Sequence, residues 1–409
     1  MYFSREEYEE RWARVRAAMR SAGHETLVVW QRSAGGFDRA GNVFWLTNYA
    51  SLASGQEPSR EGITVGRGFA AVVFHRDRDP ELHAAEPREV LDLSRLAAGE
   101  IFGHLEDLAT GLGEHLKKLG IEGRVAYIGE DFLPVLLDRL LRRAAPAIEW
   151  IAADLIMVEP QYIKSPRELE AYRRCGDIAS RSLDAVMQAL IAGESESEAA
   201  ARGAGVILRA GGGFQRIAMN HGSKSETVFW SDPMYSFTTE SPKVGDMVRG
   251  WVYGPLFQGY WIDPGRSAVC GNRPTAAQRA VIEGVNSIVA TMMAAIRPGV
   301  TPREVCVIGD GVARKVGYYD YPQAASIWGI FGHGLGSFWQ PPVLPSKNPA
   351  TAELPEGLFR VDAPYRQGMV TTIEAFLTHT GVGTATCEQC FIVADSGIEL
   401  LTTTPLVYW

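Results

Sequence analysis

The chain has 409 residues, 46% apolar and 22% charged, a length that exceeds one ordinary core and predicts two domains. Its formal charge of −8 is spread along the sequence, which excludes a nucleic-acid footprint, and no run reaches the roughly 18 apolar residues of a membrane span. Five cysteines and an N-terminus without a basic flank and apolar core predict a cytoplasmic, reducing setting.

Ser4 and Glu7 have the spacing of a capping box, and Tyr8, Trp12, Val15 and Met19 follow on one face, so a first helix is expected up to Gly23. Three buried strands are expected at 26–30, 42–47 and 69–74, and helices at 106–119 and 133–143. This alternation predicts an α/β domain over residues 1–156. The Gly-, Ser- and Arg-rich run 51–68 is longer than most connections and reads as an ordered functional loop.

Ser165-Pro-Arg-Glu168 is a strong helix start and opens a second domain, 157–409. Helices are expected from there to Leu190, from Ser195 to Gly211, from Thr275 to Ile296 and from Thr301 to Gly317. The segments 214–233, 246–270 and 357–396 are rich in strand formers, which makes this half α+β. Each helix pair precedes a strand region, a pattern that hints at an internal duplication.

Four residues in this half carry the chemistry. Asp263 sits beside Trp261 and Ile262 on a return strand, where an unpaired carboxylate would cost several kcal/mol. Either Arg266 compensates it structurally or it belongs to a site with His333, Glu374 and Glu388. His333 lies between Gly332 and Gly334, which allow close backbone approach, and the two glutamates interrupt apolar strands. Carboxylates gathered with an imidazole require a cation or a shared proton. Trp230, Tyr260, Trp261, Phe338 and Trp339 supply rings for a cation or simply for core packing. Cys387 and Cys390 have the spacing of a metal or redox pair, but with no second pair they read as buried thiols.

Asn42-Val-Phe-Trp-Leu-Thr-Asn48, Lys164-Ser-Pro-Arg-Glu-Leu-Glu170, Gly259-Tyr260 with Asp263 and Arg266, Gly332-His-Gly-Leu-Gly336 and Gly368-Met-Val-Thr-Thr-Ile-Glu374 together resemble the pita-bread superfamily. This family holds methionine aminopeptidase, aminopeptidase P, prolidase and creatinase. The resemblance implies a C-terminal pita-bread fold preceded by a smaller α/β creatinase-like domain. It also implies a site of two aspartates, one histidine and two glutamates holding two divalent metals. Asp263, His333, Glu374 and Glu388 match four of these. The first aspartate belongs eleven residues before Asp263, where this chain has Val252. Gln340 stands where a second, substrate-contacting histidine belongs, seven residues after His333. The family's proton-handling histidine is unmatched, and Asp232 is the stand-in considered for it.

From these departures the resemblance implies either no cofactor or one divalent ion (Mn, Fe, Co or Zn) on Asp263, His333, Glu374 and Glu388. The function expected first is hydrolysis of a C–N bond in a small non-peptide molecule, cationic or amidine-like, as in creatinase or ectoine hydrolase. His333, Glu374, Glu388 and Asp232 would be catalytic, and Tyr260, Trp261, Gln340 and Arg67 would bind the small-molecule substrate. A single-metal Xaa-Pro-type peptidase or lyase and a non-catalytic binding protein are the alternatives. The resemblance further implies a homodimer in which the 51–68 loop, with Arg60 and Arg67, caps a neighbour's site, with no nucleic-acid or membrane partner.

Overall fold

The apolar run Thr26–Arg32 forms β1, the strand around which a six-stranded sheet assembles. In this computed structural model the described residues are all except 33–40, 52–64, 106, 228, 321–328, 338 and 355. They divide into two units, Met1–Gln161 and Tyr162–Trp409. In the first unit α1 (Arg5–Ser21) precedes β1, followed by α2 (Gly41–Thr47), β2 (Phe69–His75), β3 (Glu81–Ala84) and β4 (Glu100–Gly103). Then come α3 (Leu108–Lys118), β5 (Gly123–Ile128), α4 (Val135–Ala144) and β6 (Ile148–Ala152). The sheet order is β4-β3-β2-β1-β5-β6, with β1 antiparallel to β2 and parallel to β5. Strand alternation sends Leu27 and Val29 into a core with Trp12, Val15 and Met19, and Val28 and Trp30 into another with Leu112, Leu116 and Leu140. Both sheet faces are therefore covered.

Two local expectations fail here. Residues 42–47 belong to α2 rather than to a strand: Gln31 Oε1 accepts from the Phe44 amide (2.8 Å), and Arg11 and the Trp12 indole donate to the carbonyls of Trp45 and Leu46. Val43 and Leu46, one helical turn apart, both enter the core, so packing overrides the strand preference of Val-Phe-Trp. Ser4 stands at the N-cap of α1 without a side-chain cap hydrogen bond, and Glu7 instead accepts from buried Arg11 (3.2 Å). The 51–68 loop and Arg60 fall largely outside the described residues; Arg67 is described and exposed in the first unit.

A short helix α5 (Val158–Tyr162) precedes the second set of elements. Here α6 (Pro166–Ile191) carries the complete capping box that its sequence predicts: Ser165 Oγ accepts from the Glu168 amide (3.2 Å) and Glu168 Oε2 from the Ser165 amide (2.8 Å). α7 (Glu196–Arg209) packs on it, and α8 (Ala276–Ala295) and α9 (Pro302–Lys315) open with capping boxes from Thr275 and Thr301.

The strands are β7 (Arg216–His221), β8 (Met247–Phe257), β9 (Tyr260–Ile262) and β10 (Gly265–Val269), then β11 (Ile330–Leu335), β12 (Trp339–Pro345), β13 (Val370–His379), β14 (Gly383–Val393) and β15 (Ile398–Leu400). The main path runs β12-β11-β13-β14-β10-β8-β7, with β15 on β14 and β9 on β8. Helices α6 and α7 precede β7, β8 and β10, while α8 and α9 precede β11, β13 and β14; the two sets meet at the β10–β14 contact. That mirrored order is what an internal duplication would leave. Among the described residues no helix is long and apolar enough to cross a membrane.

One backbone position holds β11 against β13. Gly332 has φ +136°, and a Cβ there would lie 2.1 Å from the Thr372 carbonyl oxygen. Gly332→Ala is therefore expected to cost about 3 kcal/mol or more, read as a lowered denaturation midpoint; an unchanged midpoint would show that the two strands separate without penalty.

Candidate active site

The pairing Glu374 opposite Glu388 on β13 and β14, and Gly265 opposite Glu388 on β10, places both glutamates on one face of the second sheet. Thr372 and Phe376 share that face with Glu374, since side chains two apart on a strand point the same way. His333 arrives from β11, next to β13, and Asp263 from the link between β9 and β10. One ligand atom from each of Asp263, His333 and Glu388 lies within 4.8 Å of the other two, and all three residues are buried.

Each of the three is oriented by a neighbour. The Trp261 indole donates to Asp263 Oδ2 (3.0 Å), and Cys390 Sγ to Asp263 Oδ1 (3.6 Å). Thr372 Oγ1 donates to Glu388 Oε1 (3.2 Å). His333 Nδ1 lies 3.1 Å from the Gly334 carbonyl; with its proton there, Nε2 keeps its lone pair. Nε2 is buried and 3.3 Å from Asp263 Oδ2, yet makes no aligned hydrogen bond. The Trp339 ring stacks on the imidazole at a centroid distance of 4.1 Å.

The electrostatics of this group are unbalanced. Burial, and after it the charges of Asp263 and Glu374, push the Glu388 carboxyl well above the usual carboxylate range. For His333, burial opposes the charged ring, but Asp263 and Glu374 outweigh it and carry its pKa upward. Three carboxylates share one imidazole, so a bound cation would relieve a repulsion that is otherwise met by protons. An orphaned buried nitrogen and two buried carboxylates within reach of one point fit a single divalent ion.

Arg266 is not the counter-charge of Asp263. It is fully buried and donates to the carbonyls of Gly265, Glu388, Thr404 and Pro405 and to the Gln389 side chain, tying β10 to β14 and the C-terminal segment. Val252 also has a clear place. On β8 its neighbours Trp251 and Tyr253 pack with Phe376 and Ala218, on the carboxylate face. Val252 takes the other side, the one on which Gly250 approaches Val186 and Met187 of α6. β8 thus offers this site rings, where a carboxylate would complete a two-metal set.

The remaining candidates are spread out. The Tyr260 hydroxyl donates to Glu168 Oε1 (3.0 Å) at the α6 cap. Gln340, on β12, accepts from Lys164 Nζ (3.0 Å). Asp232 closes a turn by accepting from the amides of Met234 (2.8 Å) and Tyr235 (2.6 Å). Trp230 packs edge-on against Trp251 with Phe229 beside it, and Phe338 lies outside the described residues. Cys387 and Cys390 are buried free thiols, and Cys390 touches Asp263. Sequence reasoning passed over Thr372, Trp251 and Phe376. The alternation Thr372, Glu374, Phe376 was the available signal, since it marks one strand face that changes from polar to apolar.

Comparison with known proteins bears on this geometry. The profile of metallopeptidase family M24 matches residues 170–395. An Xaa-Pro dipeptidase of Pyrococcus horikoshii is 24% identical over 374 residues, 89% of this chain and 90% of that one. Among solved structures, an Xaa-Pro dipeptidase from Bacillus anthracis superposes with a TM-score of 0.74 at 20% identity, covering 98% of this chain and 100% of that one. A dipeptidase PepE from Mycobacterium ulcerans gives 0.74 at 21% identity, over 99% and 98%. The pita-bread fold with a preceding N-terminal domain is thereby established. The expected small, non-peptide, cationic or amidine-like substrate, and with it the creatinase-like or ectoine-hydrolase-like activity, is corrected: the relatives are named for dipeptides, and the matching family is one of peptidases.

Proposed function

Because the chain belongs to metallopeptidase family M24, we propose that it is a dipeptidase that hydrolyses an Xaa-Pro-type peptide bond with one divalent ion. Asp263, His333 and Glu388 would hold that ion, with Glu374 on the neighbouring strand left as a base, and reconstitution with Mn, Fe, Co or Zn identifies the metal. The convergence of Asp263, His333 and Glu388, with rings on β8 in place of a further carboxylate, carries this reading. A divalent ion bound there would polarise the scissile carbonyl as a Lewis acid.

The protein's own groups supply the rest. Glu374, on the strand next to Glu388, takes a proton from the attacking water and returns it to the prolyl nitrogen as the C–N bond breaks. Thr372 and Trp261 keep Glu388 and Asp263 in place during that transfer. The wall of Phe229, Trp230, Trp251 and Phe376 gives an apolar ring a seat on the carboxylate face. Asp232 has no part in this assignment, because two backbone amides already hold its carboxylate. A cytoplasmic homodimer belongs to the same reading, and light scattering of the eluted protein checks the pairing.

The deciding experiment is an Xaa-Pro dipeptide assay on chelator-treated protein, with metal analysis of the wild type and of His333→Ala. Cleavage is expected to vanish with chelator and return with added metal, and His333→Ala is expected to remove about one equivalent per chain. Removal of two equivalents would overturn the single-ion site. Turnover that chelator leaves intact, or none on any dipeptide after metal addition, would overturn the peptidase reading.

A further inference from the structure

The first unit contains a cluster that the peptidase reading does not use. Of the eight histidines in the chain, His75, His83, His104 and His115 gather around a single carboxylate, Glu81. Glu81 and His83 alternate onto one face of β3, and α3 lays His115 over it. Glu81 Oε2 is 2.9 Å from His115 Nε2 and 3.8 Å from His83 Nε2, and the three ligand atoms lie within 4.8 Å of one another. The other oxygen, Oε1, faces His75 Nε2 (3.5 Å) and Arg78 Nε (3.7 Å).

The orientation of His83 points to a ligand. Its Nε2 is fully buried, without a hydrogen-bond partner, and turned to Glu81 and His115. Its Nδ1 lies 2.9 Å from His104 Nε2; with the shared proton on Nδ1, donated to His104, Nε2 keeps its lone pair. His115 is partly exposed, which leaves a side open for a further ligand such as water.

We propose that Glu81, His83 and His115 form a resident site for one borderline divalent cation of the zinc class, separate from the site on the second sheet. Bonds of about 2.0–2.1 Å to a tetrahedral ion place ligand atoms about 3.4 Å apart, and the two distances to Glu81 Oε2 bracket that value. Two imidazoles with one carboxylate favour zinc, cobalt, nickel or copper over the oxygen-seeking magnesium and calcium. His104 orients His83 from outside the ligand set, and His75 orients Glu81. The bound ion clips α3 to β3 and so acts on the stability of the first unit.

The test uses the full chain carrying His333→Ala, which silences the other site. After metal stripping, Co²⁺ and then Zn²⁺ are titrated, followed by visible absorption, by retained metal after gel filtration and by thermal melting. Cobalt bands displaced by zinc, about one retained equivalent and a melting point raised by zinc are expected. Adding His115→Gln should abolish all three while leaving the circular dichroism of the metal-free chain unchanged. If that variant does not fold, Glu81→Gln is substituted for it. No retained zinc in the His333→Ala chain, or retention that neither added substitution reduces, would show a cluster that shares only protons.

Discussion

Exchange of Glu388 for glutamine is expected to lower kcat/KM on an Xaa-Pro dipeptide by a factor on the order of 10³, about 4 kcal/mol of transition-state stabilisation. Glu388 sits at the centre of the ligand group, between β10 and β13, and its amide replacement keeps the shape but gives up the charge that holds an ion. The same variant separates function from folding. Burial and the charges of Asp263 and Glu374 already disfavour the Glu388 carboxylate, so removing it relieves repulsion in the metal-free protein. The metal-free variant should therefore melt no lower than the metal-free wild type, whereas it should gain less stability from added metal. Steady-state kinetics and parallel melting curves measure both effects. Activity within a factor of ten of wild type would remove Glu388 from the site.

The second large effect concerns Val252. A reading by spacing alone makes Val252→Asp the natural way to rebuild a two-metal clamp. The register of β8 predicts the opposite. Val252 is fully buried and lies on the side of the strand that packs against α6, while Trp251 and Tyr253 take the side facing Glu388. An aspartate there buries a charge among aliphatic groups, at about 3–5 kcal/mol. The expected result is a sharply lower denaturation midpoint with no second equivalent of metal bound at this site. A stable variant that binds a second ion and cleaves faster would show that β8 turns its carboxylate side to the ligands after all.

These two outcomes bear on the substrate as well as on the metal. The departures at Val252 and Gln340 pointed away from peptides, because a reduced metal set suggested reduced chemistry. Membership in a peptidase family, with relatives named as dipeptidases along nearly the whole chain, reverses that inference. On the proposed single-ion reading, the departures bear on the number of ions and on the residues around them. Gln340 is held by Lys164 and packs over Gly336, so its carboxamide is one wall of the β11–β12 hairpin.

Features set by short-range chemistry were legible in the sequence alone. The caps at Ser165 and Thr301 satisfy orphan helix amides from three residues away and form where their spacing predicts, whereas Ser4, with the same spacing to Glu7, makes no side-chain cap hydrogen bond. Glu374 and Glu388 stood out because a charge inside an apolar strand is costly wherever the strand is placed. His333 stood out because glycines on both sides let two strands close around it. Tertiary structure alone decided what depended on partners distant in the chain. Residues 42–47 became a helix because Gln31, Arg11 and Trp12 claim its backbone groups, and Arg266 left Asp263 for carbonyls more than a hundred residues away. The face taken by Val252 followed from pairing register, where a shift of one residue exchanges core for site. Glu81, His83 and His115 meet for a similar reason: α3 packs through Leu108, Leu112 and Leu116 on Val28, Ala71 and Val73 of the neighbouring strands, partners distant in the chain.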